Sequence, residues 1–136
     1  MIEKANIFKT IESFAEAKVL CIGDIMMDRF VYGSVSRISP EAPIPVLSVS
    51  REKHMLGGAG NVVANIAALG AKSVILSAIA DDAAGTDVVN LLDEIGADAQ
   101  LSKFADRATI VKAVLFVDLS RCLELTVKKL TPYLKI

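Results

Sequence analysis

Residues 57–70 read Gly-Gly-Ala-Gly-Asn-Val-Val-Ala-Asn-Ile-Ala-Ala-Leu-Gly. Gly57 and Gly58 close a polar segment, Asn61 follows three residues after Gly58, and an Ala/Val/Ile run of helical spacing ends at Gly70. Glycine lacks a Cβ, so the backbone here can take a positive φ and admit a ligand closely. A helix that starts here begins with N–H groups that have no partner inside it. Asn61, in its first turn, can both donate and accept hydrogen bonds. That combination suits a polyhydroxylated ligand. Taken alone, it equally fits a plain tight turn before a helix.

Working outward, Gly70 is a C-terminal helix stop, and residues 72–80 (Lys-Ser-Val-Ile-Leu-Ser-Ala-Ile-Ala) follow as a strand. A second helix over 84–95 ends at Gly96, and residues 97–101 and 109–117 read as two more strands. Upstream, residues 4–17 set Ile7, Ile11, Phe14 and Ala15 on one face of an amphipathic helix. Residues 18–23 then form a short buried strand containing Cys21. This βαβαβ alternation predicts an α/β fold built on a partial, doubly wound parallel sheet. Three of the four prolines, Pro40, Pro43 and Pro45, fall within residues 34–56, at or ahead of an alternating strand over 44–49. Proline is confined to strand starts, edges and turns, so a small peripheral β segment is expected here.

The chain has 136 residues and a formal net charge of −1, which fits one modest domain and gives no support for nucleic acid or a membrane surface as partner. Apolar residues make up 53% of the chain, and the mean hydropathy is +0.50. No apolar run reaches the roughly 18–20 residues that cross a bilayer. The surplus is attributed to strands buried on both sheet faces. The opening Met-Ile-Glu-Lys-Ala-Asn carries an acidic residue and has no apolar core, unlike a signal peptide. With two cysteines, Cys21 and Cys122, one histidine and no CxxC, neither a zinc site nor a Cys-His nucleophile is expected. A reducing cytoplasm is the natural setting.

Four motifs occur in order: Gly-Asp-Ile-Met-Met-Asp at 23–28, Arg-Ile-Ser-Pro-Glu-Ala-Pro-Ile-Pro-Val at 37–46, the stretch at 57–70, and Asp-Asp-Ala-Ala-Gly at 81–85. Together they resemble the amino-terminal part of the ribokinase-like (PfkB-type) carbohydrate kinases, over residues 15–112. The proline motif resembles the heptose 7-phosphate kinase branch, the kinase half of the bifunctional ADP-heptose synthesis enzyme. The resemblance implies ATP- and Mg-dependent phosphorylation of heptose 7-phosphate at its anomeric hydroxyl, on the way to lipopolysaccharide. It implies that Asp28 is the carboxylate at the end of the first strand that accepts sugar hydroxyls. Gly57, Gly58 and Asn61 would line the same pocket, and Lys112 would be either a cation near the sugar phosphate or a strand-end surface lysine. Residues 31–56, with Ser39, Pro40, Glu41 and Pro43, would form a β lid that closes over the sugar and carries a homodimer contact. Asp81 and Asp82 are read as helix-capping residues and His54 as a lid-surface residue, while Asn65 is either a further pocket residue or an ordinary helix polar residue.

Val63 and Ala80 depart from the family pattern, which has a small residue and a glycine at those places. The family's phosphoryl transfer depends on a downstream Gly-Ala-Gly-Asp type segment, whose amides form an anion hole and whose Asp acts as base. The last glycine of this chain is Gly96, and GxxxxGK[ST] does not occur. No catalytic residue is therefore assigned, and the ATP site is expected to lie outside these residues. Residues 113–136 read as a divergent tail, helical or poorly ordered, with Leu119, Leu123, Val127, Leu130 and Leu134 on one stripe. The expectation is a truncated chain carrying the sugar-binding half. A non-catalytic sugar-phosphate-binding or dimerisation module, and a non-functional remnant, stay open as alternatives.

Overall fold

A computed structural model describes residues 4–118; the apolar stripe at 119–134 lies outside the described residues. In chain order the elements are α1 (Lys4–Glu12), a 3-10 turn (Ser13–Glu16), β1 (Lys18–Ile22), β2 (Ile25–Ile38), β3 (Pro45–Gly58), α2 (Ala59–Ala68), β4 (Lys72–Ala80), α3 (Ala83–Glu94), β5 (Asp98–Phe104) and β6 (Val111–Asp118). Among the described residues the chain divides into two compact units, one holding residues up to 28 together with 54–112 and the other residues 29–53 with the end of β6.

The first unit holds a parallel sheet of order β1-β4-β5. Its register pairs Leu20 with Val74 and Ile22 with Leu76, then Val74 with Asp98 and Ala80 with Phe104. Helices α2 and α3 connect these strands, as the alternating pattern predicts for a parallel sheet. Both helices end in the same way. Gly70 (φ +88) and Gly96 (φ +67) adopt left-handed backbone. Gly70 N donates to Ala67 O at 2.9 Å and Ala71 N to Ile66 O at 3.2 Å, while Gly96 N donates to Asp93 O at 3.0 Å and Ala97 N to Leu92 O at 3.1 Å. This paired closure satisfies carbonyls that the helix leaves open, and it requires a residue without a Cβ penalty.

Ile25, Met27, Leu56, Val63, Ile75, Ile79, Val88, Leu92 and Ala97 form the core. Val63, one of the two departures from the family pattern, is fully buried there, and Ala80 is buried at the end of β4. The core lies where α2 and α3 pack on the sheet. The other face differs from the expectation of strands covered on both sides. Strand side chains alternate between faces, and Leu20, Ile22 and Leu76 stand 59%, 70% and 44% exposed. The helix expected over 4–17 is also shorter, giving way to the 3-10 turn at Ser13, and Ile7, Phe8 and Ile11 of α1 are exposed.

The other sheet has the order β3-β2-β6. The segment 109–117 therefore joins this sheet rather than the parallel one, beginning at Val111. A turn links β2 to β3: Ser39 N donates to Ile44 O at 2.8 Å, and Glu41 N donates to Ser39 Oγ at 3.2 Å. Pro40 and Pro43 sit in this turn and Pro45 opens β3, positions where a missing N–H costs no ladder bond. Tyr32 stacks on Phe116 with centroids 4.9 Å apart, and the Arg51 guanidinium lies 4.3 Å above the Tyr32 ring.

Candidate functional site

The Gly57-Gly58 pair ends β3 and leads directly into α2. Gly58 adopts φ +57, and a Cβ there would collide with the Asp24 carbonyl oxygen. That carbonyl instead accepts a hydrogen bond from Ala59 N at 2.9 Å. Both backbone conformation and space thus exclude a side chain at Gly58. Gly57 is buried with ordinary backbone, and its restriction is purely spatial. A Cβ on Gly57 would stand 2.8 Å from Met26 Cγ and 2.9 Å from both Cγ and Oδ1 of Asp28. The glycine gives the Asp28 carboxylate its room.

Asp28 is the fourth residue of β2, not the end of the first strand as the resemblance implies. The chain turns between β1 and β2 within two residues, so the carboxylate is carried by an extended segment beside the glycines. The Asp28 side chain is 16% exposed, and Lys112 Nζ stands 2.9 Å from its Oδ1. The approach is off the line of a hydrogen bond, which leaves Oδ1 buried without an aligned donor. The contact is best described as an ion pair, with Lys112 57% exposed. Asp28, Gly57 and Lys112 are therefore brought together, with Gly58 joined to them through Met26, whose Cε would lie 3.2 Å from a Cβ there.

Asn61 is exposed on the first turn of α2, and its hydrogen bonds run along the helix. Asn65 Nδ2 donates to Asn61 O at 2.8 Å and to Asn61 Oδ1 at 3.4 Å. Asn65, itself exposed, thus bonds back to the preceding turn of its own helix. The N-cap of α2 contributes no side-chain hydrogen bond, and of the first-turn amides Ala59 N is already taken by Asp24 O.

Asp82 caps α3 as its sequence position predicts, with Oδ1 accepting from Gly85 N at 2.7 Å. Its second oxygen does something that sequence reasoning missed: Oδ2 accepts from Thr109 N at 2.9 Å. The Thr109 N–H, followed by that of Gly85 and the Thr109 hydroxyl, holds the Asp82 carboxyl below its ordinary pKa of 3.8. The acidic pair before a helix signals the cap, but nothing local signals Thr109. His54 groups with the first unit, and its Nδ1 lies 3.3 Å from Asp87 Oδ2 on α3. Cys21 is a free thiol. Among the described residues, no cluster of three His, Cys, Asp or Glu could hold a metal, and no helix is long and apolar enough to cross a membrane.

Comparison with known proteins places this chain in a family. Residues 16–123 match the model of the pfkB family carbohydrate kinases, past residue 112, where the resemblance read from the motifs ends. The chain is 54% identical over 96 residues to the bifunctional protein HldE of Paramagnetospirillum magneticum, a match covering 71% of this chain and 20% of that protein. It is 46% identical over 127 residues to the bifunctional protein HldE of Rhodospirillum rubrum, covering 90% of this chain and 26% of that protein. The chain therefore spans about a fifth to a quarter of these relatives. Among solved structures, a carbohydrate kinase from Agrobacterium tumefaciens superposes with a TM-score of 0.58 at 25% identity, covering 74% of this chain and 31% of that one. The microbiome-derived acarbose kinase Mak1 gives 0.56 at 26% identity, covering 75% and 33%. The sequence match takes in most of the chain and the fold agrees with it: the chain belongs to the pfkB family of carbohydrate kinases.

Proposed function

We propose that this chain supplies the sugar-phosphate-binding part of an ATP-dependent kinase that phosphorylates heptose 7-phosphate at its anomeric hydroxyl, in ADP-heptose synthesis. The observation that carries the reading is the Asp28–Lys112 ion pair at 2.9 Å, with Gly57 packed against the same carboxylate. A carboxylate offers about four lone-pair sites, enough to fix two neighbouring sugar hydroxyls. A lysine ammonium is a point charge suited to phosphate. Placed together, they resolve an electrostatic conflict, because a bare Asp28 would repel a phosphate dianion. Lys112 neutralises Asp28 in the free protein and, being largely exposed, can turn toward the phosphate when the sugar enters. Gly57 and Gly58 allow the ring to approach, and Asn61 adds a donor and an acceptor.

Mg-ATP supplies the transferred phosphoryl group in the parent family. The roles assigned to this chain's own residues are sugar contacts, and no transfer step is derived from them. In the same reading, residues 1–112 are the amino-terminal part of a kinase domain in the cytoplasm. Residues 31–56, with Ser39, Pro40, Glu41 and Pro43, are its lid segment and homodimer contact. The proline motif at 37–46 and the identity to the two HldE proteins support the heptose branch.

Calorimetric titration with heptose 7-phosphate tests the reading. Saturable binding is expected, lost in Asp28→Asn and weakened in Lys112→Met. Absence of binding, or equal affinity in Asp28→Asn, overturns it. Turnover of Mg-ATP by the chain alone overturns its restriction to sugar contacts.

A further inference from the structure

Lys112 reaches Asp28 only if β6 meets β2 in one particular register. Side chains alternate along a strand, so a slip of one residue would turn Lys112 to the opposite face and put Val111 or Ala113 beside Asp28. The start of β6 is pinned in three places. Thr109 N donates to Asp82 Oδ2 at 2.9 Å, and Thr109 Oγ1 accepts from Ala80 N at 2.9 Å. One residue later, Ile110 O accepts from Met27 N at 2.9 Å, next to Asp28 in β2. Thr109 is buried, so its polar groups have to find protein partners. Gly85 is fitted into the same corner, since a Cβ there would collide with Ala80 O and stand 3.1 Å from Thr109 Oγ1 and 3.2 Å from Asp82 Oδ1.

From this arrangement we infer that Asp82 is a positioning residue for the sugar-phosphate site, acting through Thr109 to fix the register that sets Lys112 against Asp28. One carboxylate oxygen caps α3 and the other holds the first turn into β6, so a helix terminus and a binding cation share a single anchor. An N-cap alone needs only one oxygen, and Ser, Asn and Asp serve nearly alike. The second hydrogen bond goes beyond what capping requires. The inference about binding rests on the function proposed above, while the inference about register stands on the geometry.

Asp82→Asn and Asp82→Ser separate the two roles. Each keeps a good capping oxygen. Asn turns the other oxygen into a donor facing an N–H, and Ser is too short to reach both partners. Amide spectra of the ¹⁵N-labelled chain are expected to show Thr109, Ile110, Lys112 and Asp28 moving in both variants, while the amides of α3 beyond its first turn stay in place. Heptose 7-phosphate affinity is expected to fall about tenfold, because a lysine displaced by a fraction of an ångström meets the phosphate less well. Unmoved amides at 109–112 in both variants overturn the inference, whatever happens to affinity. Moved amides with affinity equal to a binding wild type overturn the link to the sugar site. If the wild type binds no heptose 7-phosphate while the amides move, the register role stands and the proposed function falls.

Discussion

Gly57→Ala would place a methyl group 2.8 Å from Met26 Cγ and 2.9 Å from Cγ and Oδ1 of Asp28. Ordinary contact begins at 3.4 Å, so Met26 has to retreat by 0.6 Å and Asp28 by 0.5 Å. Neither contact involves the free end of a long side chain. Both Cγ atoms are one bond from Cβ, so the retreat requires rotation about χ1 or a shift of β2 itself. A rotation of roughly 30° off a staggered rotamer costs about 1 kcal/mol, and overpacking a tight site costs about 1–3 kcal/mol. Loosening the Lys112 contact adds less than about 1 kcal/mol, because the lysine is largely solvated. The expected loss of stability is about 1–3 kcal/mol. Displacing the carboxylate by half an ångström should weaken heptose 7-phosphate binding about tenfold or more. The control is Gly96→Ala, where φ is +67 and no atom lies within 4 Å of the added Cβ. Its left-handed backbone costs about 1–2 kcal/mol of stability without touching the site. Urea unfolding and calorimetric titration of both variants complete the test. Wild-type affinity in Gly57→Ala, or an equal loss in Gly96→Ala, would refute the claim that this glycine seats the binding carboxylate.

Lys112→Met should reduce affinity for heptose 7-phosphate about tenfold while leaving affinity for unphosphorylated heptose unchanged; equal losses for both sugars would place the lysine away from the phosphate. The depressed pKa of Asp82 makes a signed statement about pH. A carboxyl lowered on folding stabilises fully above its ordinary value of 3.8, and this contribution is lost as pH falls through the lower folded value. The gap in urea midpoint between wild type and Asp82→Asn should therefore hold from pH 7 to 5 and close below 3.8; a gap constant down to pH 3 contradicts the assignment. Leu92→Ala empties a fully buried position where α3 meets the sheet and should cost about 2–5 kcal/mol by chemical denaturation. A cost below 1 kcal/mol would mean that this core is not close-packed. Arg29→Ala removes a bond of 2.7 Å to Glu52 on the surface of the second unit and should cost less than about 1 kcal/mol. A loss above 2 kcal/mol there would reveal a structural role for the pair.

The sequence by itself determined the features governed by neighbours along the chain. The strand-helix alternation, the glycine stops at Gly70 and Gly96, the cap at Asp82 and the helix after Gly58 follow from periodicity and from groups a few residues apart. The ordered motifs at 23–28, 37–46, 57–70 and 81–85 were enough to indicate the family. Only the tertiary structure decided which distant residues meet. Lys112 pairs with Asp28, Gly57 yields space to that same Asp28, and Asp82 holds Thr109 across 27 residues. Nor could a local pattern show that the segment starting at Val111 pairs with β2 while β5 joins the parallel sheet. The physical reason is register. Turns and caps are fixed by local hydrogen bonds, whereas a pairing between distant strands depends on which backbone groups the whole fold brings opposite one another.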